Sequence, residues 1–248
     1  MKLIEIKNLN KIYHTPTKEV ISLNNINLTI NKEEIISIVG TSGCGKSTLL
    51  NILTKLLTPS SGTIIEHEEL RIGYMMQEDA LLPWLTVYEN CILGLKLQHK
   101  LTDESKQYVD KLLEKYELIE FKNEYPNNLS GGMRQRVALI RTLAIKPNIL
   151  LLDEPFSKLD IDSRINISDD VYKIIKELKI TTILITHDIS EAITLSDRII
   201  VLTSRPGTIK NRYLINFDED TPSKKRNTNY FNLLYKTIWS DIFNEWRT

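Results

Sequence analysis

The run Gly40-Thr41-Ser42-Gly43-Cys44-Gly45-Lys46-Ser47-Thr48 restricts what this chain can fold into more than any other stretch. It is preceded by Ile35-Ile36-Ser37-Ile38-Val39, apolar and β-branched, which reads as a buried strand. It is followed by Leu49-Leu50-Asn51-Ile52-Leu53, which reads as a helix. Strand, glycine-rich turn and helix in that order make the spacing G-x-x-x-x-G-K-[ST] a phosphate-binding loop. Glycines let the backbone wrap closely, so successive N–H groups point at phosphate oxygens, and the helix N-terminus adds partial positive charge. Lys46 is then placed to reach the β- and γ-phosphates, and the Ser47 hydroxyl to ligate Mg²⁺. A chance match in a chain this long is on the order of one in a hundred or less.

Composition excludes several classes. The chain has 248 residues, room for one large domain or two small ones. Its 42% apolar and 26% charged residues are ordinary for a globular protein. A net charge of zero argues against a nucleic-acid partner, which calls for a basic excess. Apolar runs stop at about half a dozen residues, against the ~18 needed to span a bilayer. No charged-then-apolar leader pattern opens the sequence. Cys44 and Cys91 give neither a disulfide framework nor a metal spacing and fit a reducing compartment. Cys44 belongs to the phosphate loop; Cys91 reads as a small buried residue.

Leu3–Lys7 and Ile26–Ile30 alternate apolar and polar, as strands of an antiparallel piece beside the main sheet would. Tyr13 lies between them and can stack on an adenine ring, although alone it reads as a surface tyrosine. Gly62–Glu66 and Arg71–Met76 read as short strands. Gln77, beyond the second, is placed to touch Mg²⁺ or an attacking water, though alone it is an ordinary loop residue. Leu81-Leu82-Pro83-Trp84 has no periodic partner and is either core or a patch for another protein. From Thr86 to Lys115 the pattern is helical and lacks strands, a helical insertion, with Thr102-Asp103-Glu104 as a helix start. Ser130 caps a further helix whose Gly131 and Gly132 offer a second anion site. That points to two copies of the chain completing each other's sites, against the plainer reading of a capped helix. Ile149–Leu152 is a strand buried on both faces that ends in Asp153-Glu154. There Asp153 can hold Mg²⁺ through water and Glu154 can polarise a water for in-line attack on the γ-phosphate. Thr181–Thr186 is another buried strand, ending at His187, where a sheet binds its ligands and an imidazole can donate to the γ-phosphate. Ile199–Leu202 and Thr208–Ile215 read as closing strands around Arg205-Pro206-Gly207. Thr221–Asn229, where the tail begins, is polar, with Lys224-Lys225-Arg226. Beyond it Phe231, Leu234, Ile238 and Ile242 recur at helical spacing, with Trp239, Phe243 and Trp246 alongside, and a helix docked on its own domain is the preferred reading.

Together these motifs resemble the ATP-binding cassette (ABC) ATPases over nearly the whole chain up to the last strand. The phosphate loop at Gly40–Thr48 is complete. Leu129-Ser130-Gly131-Gly132-Met133 resembles the family's signature, with Met133 where Gln is commonest. Ile149–Asp153 with Glu154 is similar to the Walker B strand and its catalytic glutamate. Gln77 falls at the Q-loop and His187 at the switch histidine. Tyr13 matches the adenine-stacking aromatic. Ser157–Asp160 resembles the D-loop, with Lys158 in place of a small residue. The order and spacing of the set overturn the plain readings of Tyr13, Gln77, Ser130 and His187. Gln77–Val87, Met133 and Ser204-Arg205-Pro206-Gly207 look like the nitrate/sulfonate/taurine branch of bacterial importers.

The resemblance implies an α/β fold: a P-loop (RecA-like) core with a parallel sheet, an antiparallel β subdomain and an inserted helical subdomain. The cassette would cover residues 1–220, its helical insert about 86–146, leaving 221–248 as a helical tail. It implies ATP hydrolysis with Mg²⁺ in a head-to-tail pair of cassettes, a homodimer if the second cassette is a copy of this one. Each ATP would lie between Gly40–Thr48 of one chain and Ser130, Gly131 and Gly132 of the other, with Tyr13 and Asp160 also binding the nucleotide. Glu154, Gln77 and His187 would be catalytic, and Ser47, Gln77 and Asp153 would hold the metal. The implied partners are integral membrane permease subunits, a second ATPase subunit and an extracytoplasmic solute-binding protein, with no nucleic acid. The place implied is peripheral, on the cytoplasmic face of the cell membrane. Other classes fit the sequence less well. Soluble ABC ATPases of translation or repair usually carry two cassettes or a long coiled coil, and this sequence has neither. A GTPase switch wants Asn-Lys-x-Asp, which is absent. A separate-subunit exporter stays open, with the Trp84 loop favouring import.

Overall fold

The computed structural model describes residues 1–243 apart from Lys158 and Asp160. Lys158 and Asp160 of the expected D-loop, and Trp246 of the tail, therefore lie outside the described residues. The strands are β1 (Lys2–His14), β2 (Glu19–Asn31), β3 (Ile35–Val39), β4 (Ser61–Glu66), β5 (Ile72–Met75), β6 (Ile149–Asp153), β7 (Thr181–Ile185), β8 (Arg198–Leu202) and β9 (Ile209–Leu214). The helices are α1 (Lys46–Leu53), α2 (Val87–Leu97), α3 (Asp103–Lys115), α4 (Gly131–Ala144), α5 (Ile161–Leu178), α6 (Ile189–Leu195), α7 (Pro222–Lys225) and α8 (Asn229–Phe243). The chain forms two compact units, one of Met1–Leu70 together with Ile165 onward, the other of Arg71–Arg164.

In the first unit β3 lies between β7 and β8, parallel to both, and β9 pairs antiparallel with β8. Every residue of β3 and β7 is buried. A strand covered on both faces must be apolar throughout, which is why these five-residue runs do not alternate. Beside this lies the antiparallel sheet β2-β1-β4. Its first two strands are 13 residues each, far longer than the five-residue alternations read from the sequence. The reason is a set of asparagines that let the ladder pass through irregularities instead of ending. Asn8 and Asn25 take positive φ of 48° and 51°, which Asn tolerates better than most residues. The Asn8 N–H donates to Asn27 Oδ1 at 2.9 Å and the Asn25 N–H to Asn10 Oδ1 at 2.8 Å. Side-chain amides thus replace the ladder bonds that the shifts remove.

The tail belongs to this unit. Leu234, Ile238 and Ile242 of α8 join a buried cluster with Val39, Ile189 and Ile193. Each such side chain contributes roughly 1.5–3 kcal/mol by leaving water. The stretch 221–229, polar in sequence, contains α7, and its Lys225 is only 4% exposed. Lys225 Nζ donates to the Thr194 carbonyl at 2.8 Å and the Tyr172 hydroxyl at 3.1 Å, and lies 4.2 Å from the Tyr172 ring centroid. Carbonyl, hydroxyl and ring face together replace the water a buried ammonium loses. Ser223 adds an N–H and a hydroxyl bond to Asp169.

In the second unit β5 and β6 pair in parallel, Ile72 opposite Ile149 and Met75 opposite Leu152. Helices α2 and α3 both start in reciprocal capping boxes, from Thr86 with Glu89 and from Thr102 with Ser105. Cys91, Leu95, Val109, Leu113 and Val137 are buried among α2, α3 and α4. Burial pushes the Cys91 thiol up to about 12, so it stays protonated and acts as a small apolar group. Among the described residues no helix is long and apolar enough to cross a membrane.

Candidate nucleotide site

In the first unit the phosphate loop runs from the end of β3 to the start of α1. Gly43 and Gly45 take φ of +75° and +107°, which puts the loop in a shape that L side chains resist. A Cβ on Gly45 would lie 2.6 Å from Leu23 Cδ2. Gly45 is the N-cap of α1 and brings no side-chain cap, so the first N–H groups of the helix are left to the loop's interior. Lys46 is buried, and its ammonium donates to the carbonyls of Gly40 at 2.9 Å and Thr41 at 3.1 Å, within the loop's own mouth. Ser42 and Ser47 are exposed, and Cys44 is fully buried with its sulfur 3.7 Å from Lys46 Nζ. Tyr13 is partly exposed, and its hydroxyl lies 3.3 Å from Thr48 Oγ1. Ser22, which nothing in its sequence context singled out, donates its hydroxyl to the same Thr48 oxygen at 3.0 Å. The ring of Tyr13 is thereby tied to the first turn of α1.

His187 joins β7 to α6 and is exposed. Both its neighbours are fixed. The Thr186 hydroxyl donates to buried Glu191 at 2.7 Å and accepts from the Asp188 N–H at 3.0 Å. Asp188 caps α6, accepting from the N–H groups of Ser190 and Glu191. The backbone at His187 therefore has little freedom while its imidazole faces outward.

The second unit carries the carboxylates. Asp153 ends β6, is 9% exposed, and accepts from the Tyr74 hydroxyl at 3.4 Å. Burial first, and then the neighbouring carboxylate, push Tyr74 up to about 12, so it remains a donor to Asp153. Tyr74 is a partner of Asp153 that the sequence did not reveal; it sits on β5 opposite Leu151, two residues before the carboxylate. Glu154 follows at φ +47°, a left-handed backbone unusual for a non-glycine residue. The Gln77 amide donates to Glu154 Oε2 at 2.9 Å, so these two predicted residues meet.

Ser130 is the N-cap of α4, its hydroxyl accepting from the Met133 N–H at 3.3 Å. Gly131 is exposed beside it. The same helix grips the loop after Gln77. Arg134 Nε pairs with Asp79 at 3.0 Å, while Arg141 donates to the carbonyls of Ala80 and Asp79 at 2.7 and 2.6 Å. Leu81 turns inward and Trp84 outward, 69% exposed. The loop between them is fixed by buried Asn90, whose side chain bonds to the backbone of Leu82, Leu85 and Thr86.

These groups fit a magnesium nucleoside triphosphate. The cradle around Gly43–Gly45 is closed to side chains and open to phosphate oxygens, and Lys46 supplies a buried counter-charge. The Ser47 hydroxyl of the first unit and, in the second, the Asp153 carboxylate and the Gln77 amide carbonyl are each oxygen donors of the kind Mg²⁺ prefers.

The known proteins that this chain resembles agree. The family described as "ABC transporter" matches residues 23–157, more than half of the chain. An uncharacterized ABC transporter ATP-binding protein, YtlC of Bacillus subtilis (strain 168), is 40% identical over 98% of this chain and 96% of its own length. The nitrate import ATP-binding protein NrtD of Synechocystis sp. (strain ATCC 27184 / PCC 6803 / Kazusa) is 41% identical over 90% of this chain and 86% of its own. The solved dimeric structure of MJ0796, a bacterial ABC transporter cassette, superposes with a TM-score of 0.76 at 34% identity, covering 87% of this chain and all of that one. The same cassette has also been solved in a post-hydrolysis state bound to ADP and Pi, with a TM-score of 0.75. This chain belongs to the ABC transporter family, as an ATP-binding cassette that hydrolyses ATP with Mg²⁺ as its cofactor.

Proposed function

We propose that this cassette is the motor subunit of an importer, energising uptake of a small solute, of the nitrate, sulfonate or taurine-like anion class, through a separate integral membrane permease. Two copies work head to tail at the cytoplasmic face of the membrane, and an extracytoplasmic binding protein delivers the solute. Tyr13 stacks on the adenine, Gly40–Thr48 wraps the phosphates, and Lys46 neutralises the β- and γ-phosphates. Ser47, Asp153 and Gln77 would hold Mg²⁺, which would screen the phosphate charge. Ser130, Gly131, Gly132 and Asp160 of one copy complete the site of the other. Glu154 accepts a proton from the attacking water, Gln77 orients Glu154, and His187 donates to the γ-phosphate.

The observation that carries the importer reading is Trp84. A large apolar side chain 69% exposed, on a loop made rigid by Asn90, has no use within its own unit and suits a socket for a permease helix. That loop is anchored to α4 through Asp79 and Ala80, so a push on it is felt at Ser130. The relatives named for nitrate import support the solute class.

The test is capture from detergent-solubilised source-cell membranes with tagged Glu154→Gln chain, ATP and Mg²⁺, followed by mass spectrometry. A polytopic permease is expected, and ribosomal or DNA-repair partners without a permease would overturn the reading. Trp84→Ala in the same background is expected to lose the permease while keeping thermal stability within about 0.5 kcal/mol, as for other surface substitutions. Undiminished permease capture by Trp84→Ala would remove the socket.

A further inference from the structure

The outer side of the phosphate loop is held by a turn far along the chain, Ser204–Gly207 between β8 and β9. Arg205 Nε donates to the Gly43 carbonyl at 3.2 Å across 162 residues of sequence. Gly207 lies against the next peptide: a Cβ there would stand 2.1 Å from the Cys44 carbonyl oxygen. The turn itself cannot drift, because the Gly207 N–H donates to the Ser22 carbonyl and its own carbonyl accepts from the Asn24 N–H, both at 2.9 Å. Ser22 is the residue whose hydroxyl bonds Thr48 in the first turn of α1. Ser204 Oγ also lies 3.5 Å from Thr41 Oγ1.

The physical consequence concerns one peptide plane. Gly43 has φ +75° and no side chain, so the Gly43–Cys44 peptide can rotate more freely than most. In a trans peptide the carbonyl and the following N–H point opposite ways. A guanidinium that holds the Gly43 carbonyl therefore keeps the Cys44 N–H turned the other way, where it donates to the Thr41 carbonyl at 3.3 Å and closes the loop's own turn. Fixing the loop's backbone in this way removes an ordering cost that binding must otherwise meet.

We propose that Arg205 and Gly207 form a clamp that sets the phosphate loop in its binding shape, making Arg205 a positioning residue for ATP. The clamp rests on Gly40–Thr48 being the ATP site. Its demand on position 207 is specific, since any side chain there displaces the Cys44 carbonyl.

The test is titration of the full chain with a fluorescent ATP analogue and Mg²⁺, alongside steady-state ATPase kinetics and nucleotide-free thermal melting. Arg205→Ala is expected to weaken the dissociation constant about tenfold and raise KM in step, with kcat at saturation changed less than twofold and the melting midpoint unmoved. Arg205→Lys, which still offers one donor, is expected to recover most of the affinity. Gly207→Ala is expected to lose more affinity than Arg205→Ala. Lys46→Ala separates the two readings. If Lys46→Ala binds like the parent, the loop is not the ATP site and the clamp falls with it. If Lys46→Ala loses nucleotide while Arg205→Ala stays within twofold of the parent, the clamp alone is wrong. An Arg205→Ala loss that Arg205→Lys does not recover, with a lowered melting point, also overturns it by making the role a stabilising one.

Discussion

Two helices of this protein begin with glycines, and they treat their free N–H groups in opposite ways. At α1 the cap is Gly45, no side chain accepts from the helix, and the surrounding atoms of the loop are tied down by Lys46 from within and by Arg205 and Ser22 from outside. At α4 the cap is Ser130, whose own hydroxyl takes the Met133 N–H. The first end is built to be completed by an anion inside its own chain. The second has one N–H taken by its own cap and is exposed at Ser130 and Gly131, which suits a surface that meets something else. A helix N-terminus is therefore not one kind of site; what caps it decides whether its positive end is open or closed.

The sharpest way to separate binding from turnover is Glu154→Gln, which leaves both helix ends intact. Removing the base while keeping the shape is expected to cut ATP turnover by roughly 10²–10⁴-fold with nucleotide retained, measured by phosphate release and filter binding. Rapid turnover would remove Glu154 from its role. Next in size, Lys46→Ala takes the buried counter-charge from the open end. Affinity for ATP is expected to fall by about 3 kcal/mol, roughly a hundredfold, read by the same titration. Ser130→Ala, by contrast, is expected to leave single-chain affinity within about twofold and to cost about 1 kcal/mol of stability through the lost cap. An equal loss of affinity in Ser130→Ala and Lys46→Ala would erase the distinction between the two ends.

A third helix end, the C-terminus of α6, is closed by a side chain from the tail. The Thr194 carbonyl in the last turn of α6 is closed by Lys225 from the tail, with Lys176, Asp197, Glu219 and Asp169 as its charged neighbours. Burial, helped by Lys176, lowers Lys225 from 10.5 to about 8. Between those values the unfolded chain holds a proton that the folded chain has released, so stability rises as pH climbs from about 8 toward 10.5. Discounted for partial screening by solvent, the gain is about 1–2 kcal/mol. Urea unfolding at pH 7.5, 8.5 and 9.5 is expected to show that slope and Lys225→Met to flatten it; identical slopes would remove Lys225 as the cause.

Much of this was readable from residue order. The phosphate loop is legible because the N–H groups it aims come from consecutive residues, Gly40 to Thr48. The buried strands β3, β6 and β7 are legible because burial on both faces leaves only apolar residues. The continuation of β1 and β2 was not, since it depends on Asn8, Asn10, Asn25 and Asn27 meeting across the two strands, where side-chain amides replace ladder bonds. Nor was the burial of Lys225 within a run of polar residues: its partners Tyr172 and Thr194 lie 53 and 31 positions away.

By itself, then, the sequence determined the chemistry: a phosphate loop, a strand ending in Asp153-Glu154, a glycine-bearing helix start, and the family those motifs define. Each of these is a local pattern, fixed by bonds and periodicities within a few residues. Only the tertiary structure decided what holds those patterns in working order. It gave Gly43 the Arg205 guanidinium, Thr48 the hydroxyls of Tyr13 and Ser22, Asp153 that of Tyr74, and Glu154 the amide of Gln77. These partners are distant in sequence, and a hydrogen bond between distant residues depends on how the strands and helices between them pack, which no local pattern encodes.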